Sequence, residues 1–322
     1  MPDLDLSSLD LPDPGAGLPP GSFPDAADDD APVAAPDAYA PGLLAGQHIV
    51  VTGGGSGLGR AMAERFVRLG ARVTVGGRRE AVLGAAVAAM RGVAQGDAWG
   101  EGIVCNVREQ ASVEAFFAEA ERRQGPVTAL VNNAAANFLA PTHTLTEGGF
   151  DAIVRTNLYG SFFATQAAGR RWIERGTPGA VVSIVTTYAA TGSAFVVPSA
   201  VSKAGVVAMT TSLAAEWGLY GIRLNAIAPG PFPTEGAWSR LVPDEKTAEA
   251  MRRRVPLGRF GDPDELAGVA AFLLSPLSAY LTGHVLTLDG GEALASGGQF
   301  NDLTRMPRAQ ILGMMAAMKG GG

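Results

Sequence analysis

Thr186, Tyr188, Ser199 and Lys203 set out a series of oxygen and nitrogen groups that could handle a proton. Ser199 and Lys203 are four residues apart, so on a helix they share a face one turn from each other. An ammonium group lowers the pKa of a hydroxyl beside it, but serine is a much poorer acid than a phenol, which starts at about 10. Serine at this place is therefore a poor proton donor even with the lysine beside it. The phenol at hand is Tyr188, two residues beyond Thr186. If the backbone stays extended there, both side chains point to one side. Asn157 adds an amide from an earlier segment. Plainer roles are open to each: a loop aromatic for Tyr188, a helix-kink amide for Asn157, and an N-cap for Ser199.

A second group of residues points to phosphate. Residues 52–59 read Thr-Gly-Gly-Gly-Ser-Gly-Leu-Gly, after an apolar run and before the helix-like run 61–69. Gly53 permits a tight turn, Gly57 lets backbone approach a pyrophosphate, and Gly59 allows close packing of helix on strand. The helix start then offers free N–H groups and a positive dipole end. Glycine loops also serve as plain connectors, but a strand before and a helix after are the context a dinucleotide site requires. The next apolar run ends in Gly77, Arg78 and Arg79, with no acid before Glu80. Gly77 leaves room and Arg78 can form a charge-assisted fork on a ribose 2′-phosphate, which favours NADPH over NADH.

These residues need a scaffold, and the chain is long enough for one. Its 322 residues are 47% apolar, enough to bury a sizeable core as one large α/β domain. Apolar, β-rich runs at 48–52, 72–75, 102–105, 127–131, 180–186, 222–228 and 285–289 alternate with helix-period segments. Continuous apolar runs are what a parallel sheet buried on both faces requires. The expected fold is therefore α/β: a doubly wound Rossmann fold on a seven-stranded parallel sheet, with ligands beyond the carboxyl ends of the strands.

Composition excludes several other classes. Nine aspartates and no Lys or Arg precede residue 42, so the net charge of −6 becomes +3 for the remainder. A nearly neutral body has no basic field for nucleic acid. Residues 1–41 are dominated by Pro, Ala and Asp, and their composition predicts a disordered acidic segment. They resemble neither a signal peptide nor a transit peptide, and no apolar run is long enough for a membrane span. Cytoplasmic localisation is the simplest expectation. Cys105 is the single cysteine and fits a reducing compartment. His48, His143 and His284 show no ligand spacing, so no metal site is expected.

Together, "TGGGSGLG" at 52, "NNAA" at 132, Asn157, Lys203 and "PGP" at 229 resemble the short-chain dehydrogenase/reductase family over roughly residues 42–295. "NNAAANF" at 132, "TTYAATGSAFVVPSAVSKAG" at 186, "PGPFPTEGAWSRL" at 229 and "GQFNDL" at 298 sharpen this. They resemble the mitochondrial-type 2,4-dienoyl-CoA reductases, which lack tyrosine at the usual place and carry it at the position of Tyr188. Residues 296–322 resemble the C-terminal extension of that branch. The resemblance implies catalytic roles for Tyr188, Lys203, Asn157, Ser199 and Thr186, with Tyr188 and Asn157 as oxyanion donors and Lys203 on the nicotinamide ribose. It implies a cofactor site at Thr52, Gly53, Gly55, Ser56, Gly57, Leu58, Gly59, Arg78, Asn106, Val107, Asn133, Ala134, Lys203, Pro229, Gly230 and Thr234. Asn106 departs from the family's usual aspartate, although its amide oxygen can still accept from an adenine amino group.

The implied reaction is NADPH-dependent reduction of a 2,4-dienoyl-CoA to a 3-enoyl-CoA in unsaturated fatty acid β-oxidation, the partner being an acyl-CoA thioester. Two alternatives stay open: a carbonyl reductase acting on a 3-ketoacyl-CoA or another ketone, and a catalytically silent NADP-binding sensor. Arg252, Arg253, Arg254 and Arg259 are candidates to attract the phosphates of coenzyme A. Segments 148–175 and 199–219 carry apolar residues on more than one face, which suggests an oligomer; the family resemblance implies a homotetramer.

Overall fold

The chain is described by a computed structural model that covers residues 39–234 and 244–295, together with 309, 312 and 313. The expected acidic segment therefore lies outside the described residues up to position 38, as does nearly all of the expected C-terminal extension.

Seven strands form one sheet: β1 (His48–Thr52), β2 (Arg72–Gly77), β3 (Trp99–Val104), β4 (Ala129–Asn132), β5 (Gly179–Ile184), β6 (Ile222–Pro229) and β7 (Val285–Leu288). Their order is β3-β2-β1-β4-β5-β6-β7, and every neighbouring pair is parallel. The chain winds outward from β1 to β3 and then, from β4, outward in the other direction. This reversal opens a crevice at the carboxyl ends of β1 and β4, where Thr52 lies in register with Asn132.

Ten α-helices are described: α1 (Gly57–Arg68), α2 (Glu80–Val93), α3 (Gln110–Gln124), α4 (Glu147–Val154), α5 (Gly160–Arg175), α6 (Tyr188–Thr191), α7 (Val197–Trp217), α8 (Glu245–Arg252), α9 (Pro263–Leu274) and α10 (Glu292–Ala295). A π-helical turn, Arg155–Tyr159, joins α4 to α5.

Alternation along β1 builds two cores. Ile49 and Val51 face one side, where Met62 and Phe66 of α1, Met90 of α2 and Leu266 of α9 are fully buried. Val50 faces the other, against Phe116 and Phe117 of α3 and Trp172 of α5. The Trp172 indole N–H donates to Val127 O at 2.7 Å, so the largest buried side chain also satisfies its one polar group.

The ordered body begins ahead of residue 42. The Tyr39 ring packs against the first core, and its hydroxyl donates to Gly268 O on α9 at 3.1 Å. Leu44 is fully buried and its N–H donates to Leu69 O at 2.9 Å. Residues 39–41 thus depart from the disorder their composition predicts, because one aromatic ring supplies the apolar surface that the preceding Pro/Ala/Asp run lacks.

Candidate active site

At the crevice, two turns are fastened together. Thr52 Oγ1 accepts from the backbone N–H of Asn133 at 3.1 Å and of Ala134 at 3.2 Å. The Asn133 amide donates back to Thr52 O at 3.1 Å and Gly53 O at 3.0 Å. Asn133 therefore holds the glycine-rich turn in shape. Gly53 has φ +66°, and a Cβ there would lie 2.8 Å from Ala134 Cα. A Cβ on Gly59 would meet Asn133 Nδ2 at 2.4 Å, so any side chain at either place would part the turns.

The start of α1 stays open. Its N-cap, Ser56, is extended and makes no side-chain capping bond, and no acid stands in the first turn. The first backbone N–H groups and the positive end of the dipole are left for an anion. Gly57 faces Thr234, whose Oγ1 would lie 3.5 Å from a Cβ at Gly57. Leu58 packs on the first core, and a Cβ on Gly55 would meet Val82 at 3.0 Å.

Around this cradle, Arg78 is exposed at the end of β2 and makes no ion pair among the described residues. Asn106 donates to Glu109 Oε1 at 2.5 Å, and its amide oxygen accepts from Arg108 N at 3.3 Å. One lone pair of that oxygen remains for an adenine amino group. Val107 is buried against Gly160, where a Cβ would approach it to 2.9 Å. Pro229 closes β6, and Gly230 passes so close to Asp289 that a Cβ would lie 2.7 Å from its Cα. An uncapped helix start and glycines where a Cβ would collide together fit a nicotinamide dinucleotide, with the exposed Arg78 guanidinium beyond β2.

The proton-handling residues lie beyond β5. That strand ends at Ile184, two residues before Thr186, and Thr187 turns into helical space with φ −59° and ψ −39°. The extended geometry expected for Thr186 and Tyr188 is thus replaced by a helical turn, with Tyr188 opening α6. No hydrogen bond joins the Thr186 hydroxyl to Tyr188 among the described residues; its carbonyl accepts from Ala189 N at 3.1 Å. The Tyr188 hydroxyl instead lies 3.2 Å from Ser199 Oγ, and the Asn137 amide donates to it at 3.4 Å. Ser199 is inside the first turn of α7, whose N-cap is Val196, so it is not the cap.

Lys203 stands one turn further along α7, buried, with Nζ donating to Ile184 O at 2.6 Å. Burial draws its pKa down to about 8. The same helix therefore positions both the serine and the amine.

Asn157 sits at an irregularity in its helix, as its plainer role would have it. It is fully buried in the π-helical turn, its amide oxygen accepting from Ala136 N at 2.8 Å and its amide nitrogen donating to Ala136 O at 3.0 Å. Both ends of the side chain are engaged on one residue of the loop, one step before Asn137. Asn157 braces the loop, and Asn137 brings the amide to the phenol. Sequence reasoning missed Asn137; it was visible only as one letter of "NNAAANF", without a spacing that ties it to residue 188.

The basic run also reads differently. Arg252 pairs with Glu245 and Glu249, Arg253 with Glu249, Arg254 with Glu292 and Arg259 with Glu265, so these guanidinium groups are balanced locally. Among the described residues no group of three or more His, Cys, Asp or Glu side chains converges on a metal-sized site, and no helix is long and apolar enough to cross a membrane.

With this geometry in place, comparison with known proteins gives the family. A short-chain dehydrogenase/reductase family model described as enoyl-(acyl carrier protein) reductase matches residues 53–292. An uncharacterized oxidoreductase of Caenorhabditis elegans is 43% identical over 81% of this chain and 84% of its own length. A probable (2E)-enoyl-CoA-producing 2,4-dienoyl-CoA reductase of Bacillus subtilis is 41% identical over 76% of this chain and 96% of its own. A probable (3E)-enoyl-CoA-producing 2,4-dienoyl-CoA reductase of C. elegans is 40% identical over 78% and 82%. Among solved structures, a putative 2-deoxy-D-gluconate 3-dehydrogenase of Agrobacterium tumefaciens with bound NADP superposes with a TM-score of 0.72 at 30% identity, covering 80% of this chain and all of that one. The chain belongs to the short-chain dehydrogenase/reductase family and is an oxidoreductase.

Proposed function

We propose that the protein reduces 2,4-dienoyl-CoA thioesters with NADPH. The observation that carries this is the Tyr188 phenol, held by Ser199 and Asn137, while serine occupies the position four residues before Lys203. An ordinary ketone reductase needs its phenol one turn from the lysine. Here the phenol stands elsewhere and suits an oxyanion remote from the reduced carbon.

NADPH, when bound, supplies the hydride. The chain's own residues do the rest. Reduction at the far end of the conjugated system moves electron density into the thioester carbonyl, and the oxygen becomes an enolate. Tyr188 and Asn137 donate to that oxygen, and preorganised donors are most effective on charge that develops in the transition state. Ser199 fixes the phenol, Asn157 fixes the loop that carries Asn137, and Lys203 holds the ribose from its anchorage on Ile184 O. Protonation of the α-carbon then yields a 3-enoyl-CoA. Arg78 takes the 2′-phosphate. The oligomeric state we infer is a homotetramer, supported by exposed Tyr159 and Phe162 on one helical run and Val201 on α7.

The test is a panel of 2,4-dienoyl-CoA and 3-ketoacyl-CoA substrates with either nicotinamide cofactor, followed by loss of diene absorbance and by NMR of the product. Fast diene reduction, a 3-enoyl product and at least about tenfold preference for NADPH, reversed by Arg78→Glu, are expected. Faster ketone reduction would make the protein a carbonyl reductase instead.

A further inference from the structure

Among the described residues, Phe195 is the one non-glycine residue with a positive φ, +64°. Glycine or asparagine takes that conformation readily; phenylalanine does so against a steric cost. Nor does the core call for it, since the side chain is 58% exposed. Neither the backbone nor the packing of the fold explains an aromatic ring here. Strain of this kind is held in place by its surroundings, and it clusters where a ligand is bound.

The surroundings are specific. Phe195 lies in the segment between Tyr188 and Ser199, and its carbonyl accepts from Ala140 N at 2.9 Å. That bond latches it to the loop that bears Asn137. The same loop exposes Phe138 and Leu139, 39% and 57% accessible, directly after Asn137. Phe138 leans toward the start of α4, its ring end 3.5 Å from where a Cβ on Gly149 would lie. The loop after β4 thus brings Asn137 to the phenol together with exposed Phe138 and Leu139, and the segment latched to it, which joins the helices of Tyr188 and Ser199, exposes Phe195. A polyol has no use for that apolar zone, whereas a thioester continues from a polar carbonyl into hydrocarbon.

We propose that Phe195, with Phe138 and Leu139, forms an apolar lip for the hydrocarbon end of the acyl group, and that Phe195 sets the preferred chain length. This rests on the thioester reading above. Contact with hydrocarbon contributes about fourfold in affinity for each methylene removed from water.

Binding without turnover separates the two claims. The protein with NADPH is titrated with saturated thioesters from butyryl-CoA to dodecanoyl-CoA, and the melting temperature is followed. The shift is expected to grow with chain length and to grow less in Phe195→Gly and Phe195→Asn, both of which accept the backbone conformation without the ring. In turnover, the ratio of kcat/KM for a decadienoyl-CoA over a hexadienoyl-CoA should fall about fifteenfold in either variant, as loss of roughly two methylene contacts would give. A shift independent of length in the unaltered protein overturns the lip, and so do variants that keep its full length dependence. Length-dependent binding without reduction of any diene leaves the lip standing and overturns the proposed reaction.

Discussion

The phenol of Tyr188 gathers three contributions from separate stretches of chain: its own ring from α6, a hydroxyl from α7 and an amide from the loop after β4. If the oxygen it serves carries charge only in the transition state, removing the hydroxyl acts on kcat more than on KM. Tyr188→Phe should cost about 2.7 to 4 kcal/mol, two to three decades in kcat, with an unchanged melting temperature. Asn137→Ala should cost a comparable factor, and Ser199→Ala less if the serine, 3.2 Å from the phenol, acts by orienting it. A Tyr188→Phe enzyme within about threefold of the original kcat would remove the phenol from the mechanism. Of these residues, Ser199 and Lys203 are placed on one helix face by their spacing, and Tyr188 enters through the family resemblance. Asn137 was not legible, because a loop amide has no periodicity; its neighbour Ala136 is braced by Asn157, and its own amide oxygen accepts from Phe138 N at 3.0 Å. Asn157, for which the resemblance implies an oxyanion role, has both ends of its amide on Ala136, and sequence shows an amide without showing which way its two ends face.

The elements were more legible than the residues they place. All seven strands overlap the apolar runs that predict them: β1, β2, β4, β5 and β6 are mostly buried and leave a signal without a period, whereas the edge strands β3 and β7 are only partly buried and β3 begins at Trp99, ahead of its run. Errors sit at the ends: β5 stops at Ile184 rather than 186, and the turn that follows is helical. Val185 N still donates to Ile227 O of β6 at 2.8 Å, and the chain leaves the sheet only as Thr187 turns into helical space, a tertiary fact. Tyr39 is a second such case. It stands at the end of a run whose composition predicts no fixed structure, yet its ring joins the core beside α9. Burying part of an aromatic ring and closing one hydrogen bond contribute on the order of 1 to 3 kcal/mol. Tyr39→Ala should therefore lower the melting temperature by a few degrees, while Tyr39→Phe, which keeps the ring, should recover most of it. Equal melting of all three proteins would mean that the ring's contact with α9 contributes nothing to the fold.

Across the whole molecule, the site occupies the carboxyl ends of the strands, and a different polar cluster fastens the other end. His48 opens β1 and is fully buried, with Nδ1 2.8 Å from Gly125 O and Nε2 2.9 Å from Thr74 Oγ1. A carbonyl only accepts, so Nδ1 carries the proton and the neutral ring accepts from the threonine hydroxyl. Burial is the main cause that holds the His48 pKa below its ordinary 6.5. The fold thus keeps the ring neutral where the unfolded chain begins to protonate it. Stability from this residue is fully present above about 6.5 and declines as pH falls from there toward the folded value. Glu121 and Glu265, held low by Arg175 and Arg259, lose their contributions only below about 4.5, in a separate window. Glu292, raised by burial, acts in the opposite sense above 4.5, so the His48 effect is read as a difference between proteins. Urea unfolding at pH 7 and pH 5 should show the original chain losing stability across this interval and His48→Gln losing less, whatever its absolute stability. The same loss in both proteins would place the titration on another group and leave His48 a hydrogen-bonding strut alone.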